Sequence, residues 1–174
     1  LLSPNTGIVD SHRLMASLLA AAEAQGALLA CRTEVTALHF DGKAWDLTLN
    51  SGEYLIRART VINSAGLAAD RVAALAGIDI ASRDWHLKPC KGNYFTASPA
   101  PRLRRLVYPV PAKNNVSLGI HATLDLAGRV RFGPDSRYLD GPVGPGDYAV
   151  DEERREAFRE AICRYLPGMA TAEL

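Results

Sequence analysis

The stretch LGIHATLDLAGRVRFGPD, residues 118–135, decides the fold of this chain. Apolar and polar residues alternate in both of its halves, which is the period of a half-buried β-strand. Leu126, Ala127 and Gly128 stand between the halves, and glycine supplies the left-handed residue that a tight turn needs. The pattern predicts a β-hairpin with one apolar and one polar face.

The turn also predicts the register of this hairpin. The pairs expected on the polar face are His121 with Gly133, Thr123 with Arg131, and Asp125 with Arg129. The apolar face then carries Ile120, Ala122, Leu124, Val130, Phe132 and Pro134. The polar face of an isolated antiparallel hairpin is more often solvated than functional, although it can also form the floor of a site for an acidic substrate. The rest of the chain has to decide between the two.

Composition and charge restrict the class of protein. The chain has 174 residues, of which 48% are hydrophobic and 22% charged, and this is ordinary for a globular protein with a real core. The net charge is +1 and the basic residues are scattered, so the sequence lacks the basic footprint of a nucleic-acid-binding protein. We therefore expect no nucleic-acid partner.

The cysteines and the first residues of the chain give information on the cellular compartment of the protein. Cys31, Cys90 and Cys163 are odd in number and far apart, which argues against a disulfide framework and against a structural zinc site. A reducing, cytoplasmic compartment is therefore expected. The sequence has no run of about 18 apolar residues, and its start, LLSPNTG, has neither the basic head nor the long apolar body that is typical of a signal peptide. Because it lacks an initiating methionine and begins inside what reads as a connector, we expect an internal fragment of a longer protein.

The first 84 residues read as helix, strands and helix. Apolar positions after Asp10 have helical spacing up to Gly26, and residues 27–31 read as a strand. Alternation then predicts a three-stranded meander, with strands at residues 35–40, 45–49 and 54–58. A buried-type strand at residues 60–64 should lead through a small-residue turn into a helix at residues 68–76. This order can direct backbone amides toward a phosphate or diphosphate.

From residue 85 onward, the sequence predicts interrupted strands, an irregular loop and a last helix. Residues 85–97 and 106–110 read as strands interrupted by proline and glycine, and residues 113–115 as a turn. Residues 135–146 read as an irregular loop. A last helix should begin at Asp151 and place Phe158, Ile162 and Leu166 on one side. The predicted fold class is α+β, a mixed α/β arrangement of a βα region followed by an antiparallel sheet.

Six segments together resemble a known family. They are TGIVDSHRLM (6–15), TEVTAL (33–38), TVINSAGLAADRVA (60–73), KGNYF (91–95), VYPVP (107–111) and the hairpin stretch itself. In order and spacing they resemble the FAD-dependent oxidoreductases of the D-amino-acid oxidase superfamily, and within it the L-2-hydroxyglutarate oxidases and dehydrogenases. Each motif alone is weak, but six in register are fairly specific.

The resemblance implies a division of the chain and a set of cofactor contacts. Residues 1–84 would be a partial FAD-binding region, residues 85–150 an antiparallel substrate-binding sheet over the flavin, and residues 151–174 a C-terminal helix. The resemblance places Glu34 and Val35 by the adenine. It places Ser64, Ala65 and Gly66 by the ribityl-diphosphate, although a plain strand-to-helix turn explains the small residues about as well.

The family's N-terminal GxGxxG unit, which holds the diphosphate, is not in this sequence. The chain would therefore carry the substrate face and a minor share of the FAD contacts. We expect that it does not hold FAD tightly, and does not turn over, by itself.

The resemblance implies an enzyme that oxidises a small, L-2-hydroxyglutarate-like 2-hydroxy acid by hydride transfer to FAD. Histidine is the natural base for the hydroxyl proton at neutral pH, and His121 on the polar hairpin face is the candidate, beside Thr123. Without the resemblance, His121 reads as a sheet histidine bonded to a neighbour.

A carboxylate substrate also needs cations and hydrogen-bond donors. Lys91 is the first choice for a carboxylate, and Asn93 or Tyr94 could add a hydrogen bond. Tyr108 could donate from the adjacent strand. The hairpin arginines 129 and 131 rank lower, because their cross-strand partners could occupy them.

Other readings stay open. The chain could belong to a flavin amino-acid or amine oxidase, or to a glycerol-3-phosphate-type dehydrogenase, of the same superfamily. It could also be a binding module without catalysis, because fold analogy does not establish chemistry. The electron acceptor is open between oxygen and a membrane quinone, so a peripheral membrane or quinone contact stays among the expected partners.

Overall fold

The computed structural model describes residues 2–110, 119–141 and 143–174. Two compact units emerge, one formed by Leu1–Ala20 with Pro89–Leu174 and the other by Ala21–Lys88. Helices and antiparallel sheets are both present, which confirms the predicted α+β class.

Helix α1 (Ser11–Glu23) forms as predicted. The carboxylate of Asp10 caps its start, because Oδ1 accepts a hydrogen bond from the amide of Arg13 at 3.0 Å. Gly26 follows the end of the helix with a φ of +87°, a conformation that costs glycine little. None of the residues of α1 is buried.

The Ala21–Lys88 unit is built on the predicted meander of β1 (Val35–Phe40), β2 (Trp45–Leu49) and β3 (Tyr54–Ala58), which pair in that order. Asp41 organises the first turn, because Oδ1 accepts the amides of Lys43 and Ala44 at 2.8 and 2.9 Å. Its other oxygen pairs with the guanidinium of Arg57, which also reaches Asp46 at 2.7 Å. The alternation of apolar and polar residues and the turn residues after β1 were therefore enough to predict this sheet.

Two predicted strands in the same unit are wrong. Residues 27–31 form a turn and irregular chain, and the side chain of Leu28 is 95% exposed. Residues 60–64 are also outside any strand, and Ile62 is 83% exposed. An apolar run becomes a strand only when a second strand takes its backbone hydrogen bonds. The following helix was predicted correctly, since a short 3₁₀ turn at Gly66–Ala68 leads into α2 (Ala69–Leu75).

The other unit contains the predicted hairpin, formed by β5 (His121–Leu124) and β6 (Val130–Gly133). The observed pairs include His121 with Gly133 and Thr123 with Arg131, so the predicted register is confirmed. In the turn, Gly128 has a φ of +78° and the carboxylate of Asp125 accepts the amides of residues 127 and 129 at 2.9 Å. Residue 118 lies outside the described part of the chain, as does the predicted turn at 113–115.

Two segments flank this hairpin through single bridges. Val107 exchanges two backbone hydrogen bonds with Ala122, and Phe95 exchanges two with Phe132. The predicted strands at 85–97 and 106–110 are wrong in extent, because prolines and glycines within them limit ladder formation. Only β4 (Cys90–Lys91) forms a ladder, with β7 (Arg137–Tyr138) inside the predicted loop 135–146.

The core of this unit lies against the apolar face of the hairpin. Helix α3 (Arg155–Cys163) buries Phe158 and Ile162 completely, and the ring of Phe158 meets that of Phe95 edge-on at 4.7 Å. Phe132 and Ala122 of the hairpin are also fully buried in the same cluster. The predicted apolar side of the last helix is confirmed for Phe158 and Ile162. The helix begins at Arg155, after a 3₁₀ turn at Glu152–Arg154, and Leu166 follows its end, so the predicted extent was too long. The opposite hairpin face is left for polar residues.

Candidate active site and cofactor cavity

His121 is half-buried and lies between two tyrosines that are distant in sequence. The ring of Tyr108 meets the imidazole edge-on, with 4.5 Å between the ring centroids. On the other side, His121 pairs with Gly133, and the ring of Tyr94 covers that glycine. A Cβ atom on Gly133 would lie 2.7 Å from Cδ1 of Tyr94. The structure therefore brings these three predicted site residues to one face.

The next row of the same face contains Thr123 and Arg131, which are directly paired. The guanidinium carbon of Arg131 lies 5.8 Å from the centre of the Tyr94 ring, in the range of a cation–π contact. Together, five side chains form what we call the polar face. They are Tyr94, Tyr108, His121, Thr123 and Arg131.

Arg129 differs from Arg131 although both lie on the polar side of the hairpin. Its Nε donates to Oδ2 of Asp125 at 2.7 Å. The backbone amide of Arg129, and after it the guanidinium, hold the pKa of the Asp125 carboxyl below its ordinary value. Asp125 thus forms an ion pair with Arg129, as the sequence suggested, whereas Arg131 contacts an aromatic ring.

Asn93 directly precedes Tyr94 in the sequence and is buried, with 2% of its surface exposed. Its Nδ2 donates to Oδ1 and Oδ2 of Asp135 at 3.1 and 3.4 Å, and its own Oδ1 accepts the amide of Asp151 at 3.0 Å. Asp135 is held in turn by Nε of Arg154 at 2.9 Å. Both ends of the Asn93 amide are therefore satisfied inside the protein.

Lys91 is half-buried in β4, where its backbone pairs with Arg137. Its ammonium group donates a hydrogen bond to the carbonyl oxygen of Ala149. The structure therefore gives this cation an acceptor within the protein and does not bond it to the polar face.

A cavity of about 500 Å³ lies in the Ala21–Lys88 unit. It gathers four of the five residues predicted to contact FAD, namely Glu34, Val35, Ser64 and Ala65, and the fifth, Gly66, follows directly with a φ of +56°. The other lining residues are Leu38, Val61, Ile62, Asn63, Ala68, Arg71, Val72 and Leu75.

Two asparagines hold the walls of this cavity. Asn50 clamps Glu34 through its Oδ1, which accepts the Glu34 amide at 2.9 Å, and through its own amide, which donates to the Glu34 carbonyl at 2.9 Å. Asn63 accepts the amide of Ala65 at 3.2 Å and donates to the carbonyl of Ala69 at 2.7 Å. Sequence reasoning missed Asn63 and Arg71, although an asparagine two residues before a turn is a known turn signal.

The chemistry of this cavity fits part of an FAD molecule. Its size lies within the range of small-molecule sites, and Val35, Leu38 and Val72 provide apolar walls for a planar ring. Glu34, directly before β1, supplies a carboxylate of the kind that accepts a hydrogen bond from a ribose hydroxyl. Arg71 adds a cation suited to a phosphate.

Comparison with known proteins identifies the family. The whole chain, residues 1–174, matches the family model of FAD dependent oxidoreductases named DAO. The chain belongs to this family. The predicted resemblance to the D-amino-acid oxidase superfamily is thereby confirmed, and the family is FAD-dependent.

Several relatives carry one name. The chain is 31% identical to a mitochondrial L-2-hydroxyglutarate dehydrogenase of Arabidopsis thaliana, over all of this chain and 43% of the relative. It is 31% identical to an L-2-hydroxyglutarate dehydrogenase of Escherichia coli strain UMN026, over 90% of this chain and 34% of the relative. A mitochondrial enzyme of the same name from Caenorhabditis elegans is 32% identical over 77% of this chain. The chain thus spans less than half the length of these relatives.

Membrane association was left open by the sequence. Among the residues that the structure describes, every helix is too short or too polar to cross a bilayer.

Proposed function

We propose that this chain contributes the substrate face, and part of the FAD site, of an oxidoreductase that acts on a small 2-hydroxy acid resembling L-2-hydroxyglutarate. The observation that carries the proposal is the placement of His121 between Tyr94 and Tyr108, on one face of a member of an FAD-dependent family. The names of the relatives support the substrate class. Bound FAD would supply the acceptor for the hydride that leaves the α-carbon.

His121 acts as the general base in this proposal. Removing the hydroxyl proton requires a side chain that can accept a proton, and histidine is the commonest general base in enzymes. The edge of the Tyr108 ring restricts the imidazole orientation. Thr123, two residues along the same strand, would donate a hydrogen bond to a substrate oxygen, as would the Tyr108 hydroxyl.

Lys91 is proposed as a cation for the substrate carboxylate next to the reacting carbon. Its ammonium would exchange the carbonyl of Ala149 for the carboxylate, a stronger, charge-assisted acceptor. Asn93 would then serve this site through the backbone of Tyr94, since its own amide is bonded to Asp135 and to the Asp151 amide.

The cavity of the Ala21–Lys88 unit is proposed to hold the adenosine end of FAD. Glu34 and Val35 would contact the ribose and the adenine. Ser64, Ala65 and Gly66 would lie along the diphosphate side, where small residues allow close approach.

The decisive experiment replaces His121 in the flavin-loaded, full-length enzyme that contains this chain. His121→Ala should lower turnover by about 10²- to 10⁴-fold, the usual contribution of a general base, and leave the flavin content unchanged. His39→Ala is the matched control, because that histidine is an exposed residue of β1. Unchanged turnover in His121→Ala would remove His121 from the mechanism.

The substrate class is tested on the unmodified, full-length enzyme that contains this chain. Anaerobic bleaching of the flavin absorbance should occur with L-2-hydroxyglutarate and be absent with amino acids and with glycerol 3-phosphate. Bleaching by an amino acid or by glycerol 3-phosphate alone would instead favour the other readings within the superfamily.

A further inference from the structure

Arg131 is a cation of the polar face that the proposed reaction does not yet use. In the part of the chain that the structure describes, Arg131 forms no ion pair with a carboxylate. Arg129, on the same side of the hairpin, is paired with Asp125 at 2.7 Å. Several arginines of the same unit are also paired, among them Arg137 with Asp151 and Arg154 with Asp135. Arg131 is thus available to an external anion.

The contact with Tyr94 prepares Arg131 for such an anion. The aromatic ring attracts the charge of the guanidinium and limits its motion at 5.8 Å from the ring centre. A guanidinium carries five N–H donors in a planar fork, and a cation–π contact does not consume them. The fork can therefore still bind a carboxylate with two parallel hydrogen bonds.

The ladder places the backbone of Arg131 near that of the proposed base. Arg131 is directly opposite Thr123, and His121 is its diagonal neighbour in the antiparallel pair. Diagonal neighbours lie roughly 7–8 Å apart at the backbone, and both side chains extend from the same side of the sheet. A short dicarboxylic acid can span such a gap, with its hydroxyl-bearing carbon at His121 and its far carboxylate at Arg131.

We propose that Arg131 is a specificity-determining residue that binds the second carboxylate of the substrate, the one remote from the carbon being oxidised. This inference rests on the proposed function and adds to it the residue that selects a hydroxy diacid over a hydroxy monoacid. Lys91 and Arg131 would then bind the two ends of the substrate.

Two substrates separate this role from a structural one. L-2-hydroxyglutarate has the far carboxylate, and L-2-hydroxyvalerate has a methyl group in its place. In the flavin-loaded, full-length enzyme that contains this chain, Arg131→Met should raise the KM for hydroxyglutarate about 10- to 100-fold, as expected for the loss of a charge-assisted hydrogen bond, and change the KM for hydroxyvalerate by less than about twofold. Arg131→Lys should give an intermediate KM, because it keeps the charge and loses the fork.

Arg129→Met is the matched control and should leave both KM values unchanged. An equal rise of both KM values in Arg131→Met, or an unchanged KM for hydroxyglutarate, would overturn the proposal.

A binding measurement keeps the two proposals distinguishable. Glutarate, which cannot be oxidised at the α-carbon, is titrated against the flavin spectrum of the same variants, and its Kd should rise about 10-fold or more in Arg131→Met. If neither hydroxy acid reduces the flavin of the unmodified protein, the proposed function fails. The glutarate titration then still decides the role of Arg131, since an equal Kd in the unmodified and Arg131→Met proteins would refute it.

Discussion

Tyr165 shows how one side chain connects the last helix to the hairpin. Its hydroxyl donates a hydrogen bond to the carbonyl oxygen of Ile120 at 2.9 Å, one residue before β5. Burial raises the pKa of this phenol from the ordinary value of 10.0 to about 12. The folded protein therefore binds the phenolic proton more tightly than the unfolded chain does.

The sign of the pH dependence follows from this difference. The stabilisation is fully present below pH 10, where both states are protonated, and it is lost as the pH rises from 10 to about 12. Tyr165→Phe should lower the free energy of unfolding by about 1 kcal/mol at neutral pH through the lost hydrogen bond, and it should remove this part of the alkaline loss. Urea unfolding at several pH values between 8 and 12 measures both effects.

Tyr148→Phe is the control for this prediction, because the Tyr148 side chain is 75% exposed. The difference between the unmodified protein and Tyr148→Phe should not depend on pH. If Tyr165→Phe also runs parallel to the unmodified protein from pH 8 to 12, ionisation of the Tyr165 phenol is not coupled to unfolding.

At the scale of elements, the hairpin depends on a glycine that no side chain can replace. A Cβ atom on Gly133 would lie 2.5 Å from the backbone oxygen of Asn93 and 2.7 Å from the Tyr94 ring, and φ is +140°. Gly133→Ala should destabilise the protein by about 1–3 kcal/mol, the usual cost of forced overpacking, and should also raise the KM for the hydroxy acid by displacing Tyr94. Urea unfolding and steady-state kinetics measure the two effects.

Gly128→Ala is the matched control for backbone strain. Its φ of +78° is also left-handed, but no atom lies within 4 Å of an added Cβ. It should destabilise the protein by about 1 kcal/mol and leave the KM unchanged. Equal stability losses and unchanged KM values in both variants would show that the contact between Gly133 and Tyr94 does not matter.

The elements also show what local sequence can and cannot predict. Alternation and one turn determined the hairpin register, so the common face of His121, Thr123 and Arg131 could be predicted. The strands expected at 27–31 and 60–64 failed because pairing depends on a partner that a local pattern does not contain. A local pattern likewise does not contain the hydrogen bond from Asn93 to Asp135, which is 42 residues away.

At the scale of the whole molecule, the two units differ in how much apolar surface they bury. The main core cluster lies in the unit of the hairpin and α3, and includes the fully buried side chains of Phe132, Phe158 and Ile162. In the Ala21–Lys88 unit, the buried apolar residues that the structure describes are Ala44, Leu49 and Ile80. That unit also exposes large apolar side chains, among them Leu55, which is 76% exposed.

This difference predicts unequal local stability, because resistance to opening follows buried apolar contact. In native-state hydrogen exchange, the amides of β2 should exchange at least about 10-fold faster than those of β5 and β6, a factor that corresponds to about 1.4 kcal/mol of opening free energy. Adding FAD should slow exchange at the cavity walls, in segments 34–38 and 61–72, since a ligand bound only to the closed form stabilises that form. Faster exchange in the hairpin than in the meander would contradict the first expectation. Unchanged exchange at the cavity walls with excess FAD would contradict the second, because the residues that line the cavity would then not bind the cofactor.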